Sequence, residues 1–183
     1  MDNFEQLVER VAAKAAESER LLPPVSAEAL DEAERMLGFR LHPLLAALYM
    51  KVGNGGFGPM DSLLPLSGGP NPDGEEAAVE EYLGRTPPAD ADTWWSWPVG
   101  VLPIMDEGCA RFACVDCRSE DGTVLLFDLN AISGQDLSRA WFVDAGSLAE
   151  WLETWLAGRG RDEDDAADEG FEMALWPEAS ARL

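Results

Sequence analysis

The chain of 183 residues carries 13 basic and 35 acidic side chains, which gives a formal net charge of −22. This charge argues against nucleic-acid binding, because phosphate backbones repel it, and favours a basic partner; the alternative is that it serves solubility alone. No run of about 18 apolar residues is present and the first residues are acidic, so we expect a cytoplasmic protein without a membrane span or export signal.

Three helical patterns occupy the first part of the chain. Residues 3–20 predict a first helix that the prolines of Leu21–Pro24 end. The apolar residues with helical spacing are Phe4, Leu7, Val8, Val11, Ala12 and Ala15. Ser26–Gly38 begins with a favourable N-cap and ends at a glycine, so a second helix is predicted there. Pro43–Val52 predicts a third helix, because proline suits the first helical position and the apolar residues form one stripe.

A glycine-rich turn follows the third helix. Gly53 is expected just past the helix end at a left-handed φ, and Asn54, Gly55 and Gly56 all tolerate positive φ. Phe57 then offers a large apolar ring to the core. Two interpretations stay open: the turn ends the helix so that Phe57 can pack, or its backbone groups contact a partner.

An antiparallel sheet is predicted in the middle of the chain. Leu63–Leu66 is a short strand candidate that Pro65 restricts to a sheet edge, and Glu75–Leu83 has helical composition with one apolar side. Turns rich in glycine separate the next strand candidates, which favours a meander. These candidates are Val99–Met105, Arg111–Val115, Thr123–Leu129 and Ala140–Val143.

The last part of the chain combines a helix with an acidic stretch. Ser147–Gly158 predicts a helix that a serine caps and a glycine ends. Residues 159–169 are so acidic that we expect a flexible linker. Phe171–Trp176 is apolar again and is expected to dock on the domain as a short helix. The chain thus divides into a domain of residues 1–158 and a linker with docking segment, 159–183.

The indole cluster Trp94, Trp95 and Trp97 is the main candidate for partner binding, because tryptophan is enriched at interface hot spots. The alternative is that two of the three indoles cover the core. The other candidate contacts are the glycine turn and acidic side chains that could meet a basic partner. The acidic candidates are Asp162, Glu163, Asp164 and Asp165, with Asp168 and Glu169 beside them.

The sequence offers little for catalysis or metal binding. Cys109, Cys114 and Cys117 match three ligands of a plant-type iron–sulfur loop, but the fourth cysteine is absent, so we expect free thiols that fill space in a sheet. His42 is the single histidine and is interpreted as a helix start, which leaves no base for a nucleophile. Asp116, at a strand end, is interpreted as a turn residue. No enzyme, cofactor or metal site is predicted.

These segments together resemble the SUKH superfamily, which includes fungal cell-wall-assembly regulators and bacterial immunity proteins against secreted toxins. The resemblance covers roughly residues 20–157. The residues that carry it are Pro24, Glu34, Leu37-Gly38-Phe39, Leu41, Pro43, Leu48-Tyr49 and Asn54-Gly55-Gly56-Phe57, with looser matches at Leu63–Leu66, Val101–Asp106 and Ser147–Leu152.

The resemblance implies an α+β fold, with an antiparallel sheet packed against several helices, and a non-enzymatic binding role. The functional hypothesis is an immunity protein that binds and sterically neutralises a cognate toxin domain, for which a basic nuclease domain would match the acidic surface. The alternative is a regulatory or scaffold protein of the same fold that has no toxin partner.

Overall fold

The computed structural model of the protein describes residues 2–68, 74–88, 90–132, 134–159 and 173–183. Within these ranges, six helices surround one four-stranded antiparallel sheet, which confirms the predicted α+β class. The helices are α1 (Asp2–Ala15), α2 (Ala27–Leu37), α3 (Pro43–Lys51), α4 (Ala78–Arg85), α5 (Leu148–Leu156) and α6 (Ala179–Arg182). The strands are β1 (Val101–Gly108), β2 (Arg111–Asp116), β3 (Val124–Asp128) and β4 (Trp141–Ala145). None of the described helices is long and apolar enough to cross a bilayer.

The sheet has the order β1-β2-β3-β4 with every neighbouring pair antiparallel, so the predicted meander is confirmed. Phe112 pairs with Phe127, which in turn pairs with Trp141, so the three rings share one face. Residues 112–116 of β2 are all buried. Because successive side chains of a strand point to opposite faces, this central strand is covered on both sides.

Both caps of α2 and the start of α3 follow the sequence prediction. The Ser26 hydroxyl accepts a hydrogen bond from Ala29 N at 3.2 Å, and Gly38 ends α2 with a φ of 77°. α3 begins at Pro43, and the His42 ring accepts a hydrogen bond from Leu44 N at 3.3 Å. These contacts are local, so residue type alone predicts them.

The glycine turn differs from the prediction at one position. Positive φ values occur at Gly55 (86°) and Gly56 (76°), as the turn requires, but not at Gly53. A Cβ on Gly53 would instead lie 2.5 Å from Leu21 Cδ1 and 2.6 Å from Leu22 O. Gly53 is therefore required by a close approach of the preceding chain rather than by its own dihedral angles.

α1 ends at Ala15 instead of continuing to residue 20. Ser18 lies in the turn that follows, where its hydroxyl donates to Gly56 O at 2.8 Å and accepts from Arg20 N at 3.1 Å. The chain thus leaves the helix at Ala15. Leu21, which follows Arg20, then lies against Gly53.

Leu63–Leu66 is an extended segment and not a strand of the sheet, contrary to the prediction. A single backbone bond joins it to β1, from Leu64 N to Ile104 O at 2.8 Å. Its last two carbonyls accept from the first amides of α4, at 2.8 Å from Ala78 N and 3.0 Å from Val79 N. This contact fixes the start of α4 three residues beyond the predicted Glu75, because those amides lack partners within the helix.

The described part of Phe171–Trp176, Met173–Trp176, is extended where a short helix was predicted. Val143 N donates to Ala174 O at 2.8 Å, Trp176 N donates to Trp141 O at 2.9 Å, and Leu175 forms an antiparallel bridge with Phe142. Pro177 follows Trp176 and disfavours a helical conformation there.

Candidate protein-binding surface

The glycine turn uses its polar groups within the chain. Asn54 Oδ1 accepts from Leu66 N at 2.7 Å, and Gly56 N donates to Leu63 O at 2.9 Å. Phe57 is 0% exposed. This geometry favours the first interpretation, a helix-ending turn that seats Phe57. Contact of Asn54, Gly55, Gly56 and Phe57 with a partner stays a prediction.

The three indoles of the tryptophan segment lie at three depths. Trp97 is 4% exposed and donates from its ring nitrogen to Val101 O at 2.8 Å. Trp95 is half-buried and donates to Arg85 O at 2.7 Å. Trp94 is 51% exposed and touches Trp95 edge-on, with ring centroids 5.9 Å apart. Two indoles therefore belong to the packed domain, and the third extends into solvent.

The buried end of this segment is anchored by rings from the sheet. Trp97 lies 5.0 Å from Phe127 and 4.8 Å from Trp141 between ring centroids, both edge-to-face, and Trp95 also meets Phe127 edge-to-face at 6.0 Å. Pairs of this geometry add about 0.5–1.5 kcal/mol each to the burial of their area. The cluster thus holds Trp95 in place, and Trp95 is the indole that Trp94 contacts.

A sequence of tight turns presents Trp94, and we call residues 90–95 the Trp94 loop. Ala91 N donates to Pro88 O at 2.9 Å, and Thr93 N donates to Ala91 O at 3.0 Å. The Thr93 hydroxyl accepts from Trp95 N at 3.1 Å, which closes the chain around residue 94. The exposed indole is thus held by ordered backbone on both sides.

Two exposed carboxylates precede the exposed indole in the Trp94 loop. Asp90 and Asp92 are exposed and have no ion-pair partner in the described part of the chain. Five arginines elsewhere in the described residues are paired with carboxylates of the same chain. These pairs are Arg10–Glu153, Arg35–Glu32, Arg40–Glu34, Arg85–Glu81 and Arg182–Asp116. An exposed aromatic face in an acidic loop suits a cationic side chain.

The acidic candidates Asp162, Glu163, Asp164 and Asp165 lie outside the described residues, as do Asp168 and Glu169. Their contribution to partner binding stays a prediction.

The cysteines and the histidine have structural surroundings. Cys114 is buried and Cys117 half-buried, whereas Cys109 is exposed in the β1–β2 turn. Burial raises the pKa of Cys114 well above its ordinary value and that of Cys117 to about 12. His42 caps α3 and its Nε2 lies 3.1 Å from Glu120 O. The described residues include no group of three or more His, Cys, Asp or Glu side chains that could hold a metal.

We expect Ellman's reagent at pH 8 to label one thiol, Cys109, quickly in the native protein and all three after unfolding. The thiolate is the reactive form, and a pKa of about 12 leaves roughly one Cys117 in 10⁴ ionised. Cys109→Ser should remove the fast phase. Fast labelling of Cys114 or Cys117 in the folded chain would contradict this placement.

Sequence reasoning missed an ion pair that joins the end of the chain to the sheet. Asp116, interpreted as a turn residue, does accept from Arg118 N at 3.1 Å, but its side chain is only 2% exposed and is held by Arg182. Arg182 Nη1 lies 2.7 Å from Asp116 Oδ2, and Arg182 Nη2 lies 3.1 Å from Asp116 Oδ1. The one signal in the sequence was an acid directly after the apolar run of residues 112–115.

Comparison with known proteins covers the greater part of this architecture. No curated protein sequence shows significant similarity to the chain. The family model of the SMI1/KNR4 family (SUKH-1) matches residues 24–154, which include the glycine turn, the Trp94 loop and the whole sheet. The division into residues 1–158 and 159–183 stays a prediction. Because the match spans well over half of the chain, the protein belongs to the SMI1/KNR4 family (SUKH-1).

Proposed function

We propose that this protein is an immunity protein that binds a basic toxin domain through the Trp94 loop and blocks that domain sterically. The family supports an immunity or regulatory role in general, and it is generally non-enzymatic. The observation that carries the proposal is the exposed Trp94 in a loop that also exposes the carboxylates of Asp90 and Asp92.

The loop has the properties of an interface anchor. Trp94 is 51% exposed, so its burial by a partner would remove a large apolar area from water. Its edge-on contact with Trp95 and the turn closed by Thr93 hold it in place before binding. A side chain that is already ordered loses less entropy on association. A lysine or arginine of the partner could lie over the indole face while the two carboxylates neutralise its charge.

The net charge of −22 adds long-range attraction to a basic partner. Such a field mainly raises the association rate, and it is screened over about 8 Å at physiological ionic strength. The short-range contacts of a buried anchor instead set the dissociation rate. The proposal therefore assigns the acids, including Asp162–Asp165, to association and Trp94 to the lifetime of the complex.

Stopped-flow binding to the toxin domain encoded beside this gene tests the two roles. Trp94→Ala should speed dissociation at least about tenfold with little change in association, as for a hot-spot residue. Phe4→Ala is the matched control, because Phe4 is an exposed aromatic residue on α1, which packs on α3 and α5. Neutralising the six acids between residues 162 and 169 to Asn or Gln should slow association alone.

Three results would contradict the proposal. Equal effects of Trp94→Ala and Phe4→Ala would remove the Trp94 loop from the interface. An association rate unchanged by salt and by the neutralised acids would limit the acidity to solubility. Absence of binding to any neighbouring toxin domain would favour the regulatory alternative.

A further inference from the structure

Residues 173–183 lie against the sheet in the way a bound peptide does. Val143 N donates to Ala174 O at 2.8 Å, and Trp176 N donates to Trp141 O at 2.9 Å. These bonds occupy the outer edge of β4, the last strand in the order of the sheet. Backbone pairing at a sheet edge is a recurrent way for proteins to bind an extended segment.

Side chains of this segment enter the domain at every third position. Trp176 is 5% exposed, Ala179 is 1% exposed, and the Arg182 side chain is 14% exposed. The residues between them are exposed, as is Leu175 before them: Pro177, Glu178, Ser180 and Ala181. The contact is therefore made by a few inserted side chains, as in a peptide complex. The segment itself lies outside the family-matched residues 24–154, whereas the residues that it contacts lie within them.

Two sites on the domain contact the inserted side chains of Trp176 and Arg182. The Trp176 ring joins the aromatic cluster with its centroid 5.9 Å from that of Trp141. Arg182 binds both oxygens of Asp116, at 2.7 and 3.1 Å, and also donates to Val99 O at 2.8 Å. This two-pronged geometry requires a guanidinium group, because an ammonium group cannot present two parallel donors.

We propose that the β4 edge, the Trp176 pocket and the Asp116 carboxylate form a peptide-binding site, which residues 173–183 occupy in this chain. Its ligand class is a segment that is extended up to a Trp and turns into a short helix carrying Arg six residues later, supplied in trans by a partner protein. The site does not depend on the Trp94 loop or on a toxin partner.

The resident segment leaves the site incompletely satisfied. Trp141 Nε1 and Arg182 Nε are buried and have no hydrogen-bond partner in the described part of the chain. A buried donor without an acceptor is unfavourable. A partner segment that places a carbonyl or hydroxyl oxygen opposite Trp141 Nε1 would gain a hydrogen bond that the resident segment lacks, and so could displace it.

The test uses the full chain carrying Arg182→Ala and a labelled synthetic peptide of residues 173–183. The variant retains Asp116 without its partner, so the peptide should bind saturably, measured by fluorescence anisotropy, and should raise the melting temperature. A peptide carrying Arg182→Ala should bind at least about tenfold more weakly, because a hydrogen bond to a charged group is lost. The wild-type chain should bind the peptide far more weakly than the variant, because its own segment competes.

Asp116→Asn combined with Arg182→Ala is the matched control, and the two peptides should bind to it with similar affinity. If the Arg182→Ala chain does not fold, Arg182→Lys replaces it in the test, because lysine keeps the positive charge but forms only one of the two hydrogen bonds to Asp116. Failure of the peptide to bind the folded variant, or equal binding of the arginine and alanine peptides, would overturn the proposal.

Discussion

Replacing Gly56 with alanine is expected to lower the free energy of unfolding by at least about 3 kcal/mol, from left-handed strain together with overpacking. Gly56 has a φ of 76°, and a Cβ built on it would lie 1.9 Å from Arg20 O and 2.5 Å from Arg20 C. Both neighbours are backbone atoms, which cannot turn aside as a flexible side chain can. In addition, the Ser18 hydroxyl donates to Gly56 O, so any shift of the turn strains that bond.

Gly38→Ala separates the two causes. Gly38 has nearly the same φ, 77°, but nothing lies within 4 Å of the position of its Cβ. Its replacement should therefore cost only the left-handed strain, about 1 kcal/mol. Urea unfolding of both variants and the wild type measures the difference, and for a domain of this size each kcal/mol should shift the melting temperature by about 2–4 °C. Equal losses at the two positions would mean that the close approach of Arg20 does not constrain the fold.

The contrast between these glycines shows which features of the fold the sequence could predict. Gly38 and Ser26 act on their own helix, so residue type and position were enough to predict both caps. The prediction of a left-handed φ at Gly53 was wrong, because the role of this glycine depends on Leu21 and Leu22 folding back from the end of α1. The early end of α1 was indicated locally, because the apolar residues with helical spacing stop at Ala15.

The candidate site was also predictable only in part, because the sequence shows which residues are close along the chain but not which are close in space. The indoles of Trp94, Trp95 and Trp97 stand within four residues, and composition alone marks them as important. Their separate depths follow from the rings of Phe127 and Trp141, which the register of the sheet brings beneath Trp97 but not beneath Trp94. Only the three-dimensional pairing could therefore distinguish the core indole from the exposed one.

The largest effect outside the turn is expected at the ion pair between Asp116 and Arg182. Arg182→Met should lower the free energy of unfolding by about 3–5 kcal/mol, because it leaves a buried carboxylate without a partner. Asp116 is only 2% exposed on its side chain and cannot reach water without disturbing β2. Burial on its own lowers the pKa of Arg182, but hydrogen bonds and charge from Asp116, and then Glu178, outweigh it and leave that pKa above its ordinary value.

A double variant distinguishes the uncompensated charge from a loss of packing. Adding Asp116→Asn to Arg182→Met removes the buried charge but restores no contact, so we expect it to recover at least about 1.5 kcal/mol of the loss. Glu178→Gln is the matched control, since Glu178 also pairs with Arg182, but at 3.5 Å and with its side chain 62% exposed. Its effect should stay within about 0.5 kcal/mol, as for an exposed pair. Urea unfolding of the wild type, Arg182→Met, the double variant and Glu178→Gln measures these differences. If the double variant is no more stable than Arg182→Met, the loss comes from the packing of the 173–183 segment, and the buried charge of Asp116 does not depend on Arg182.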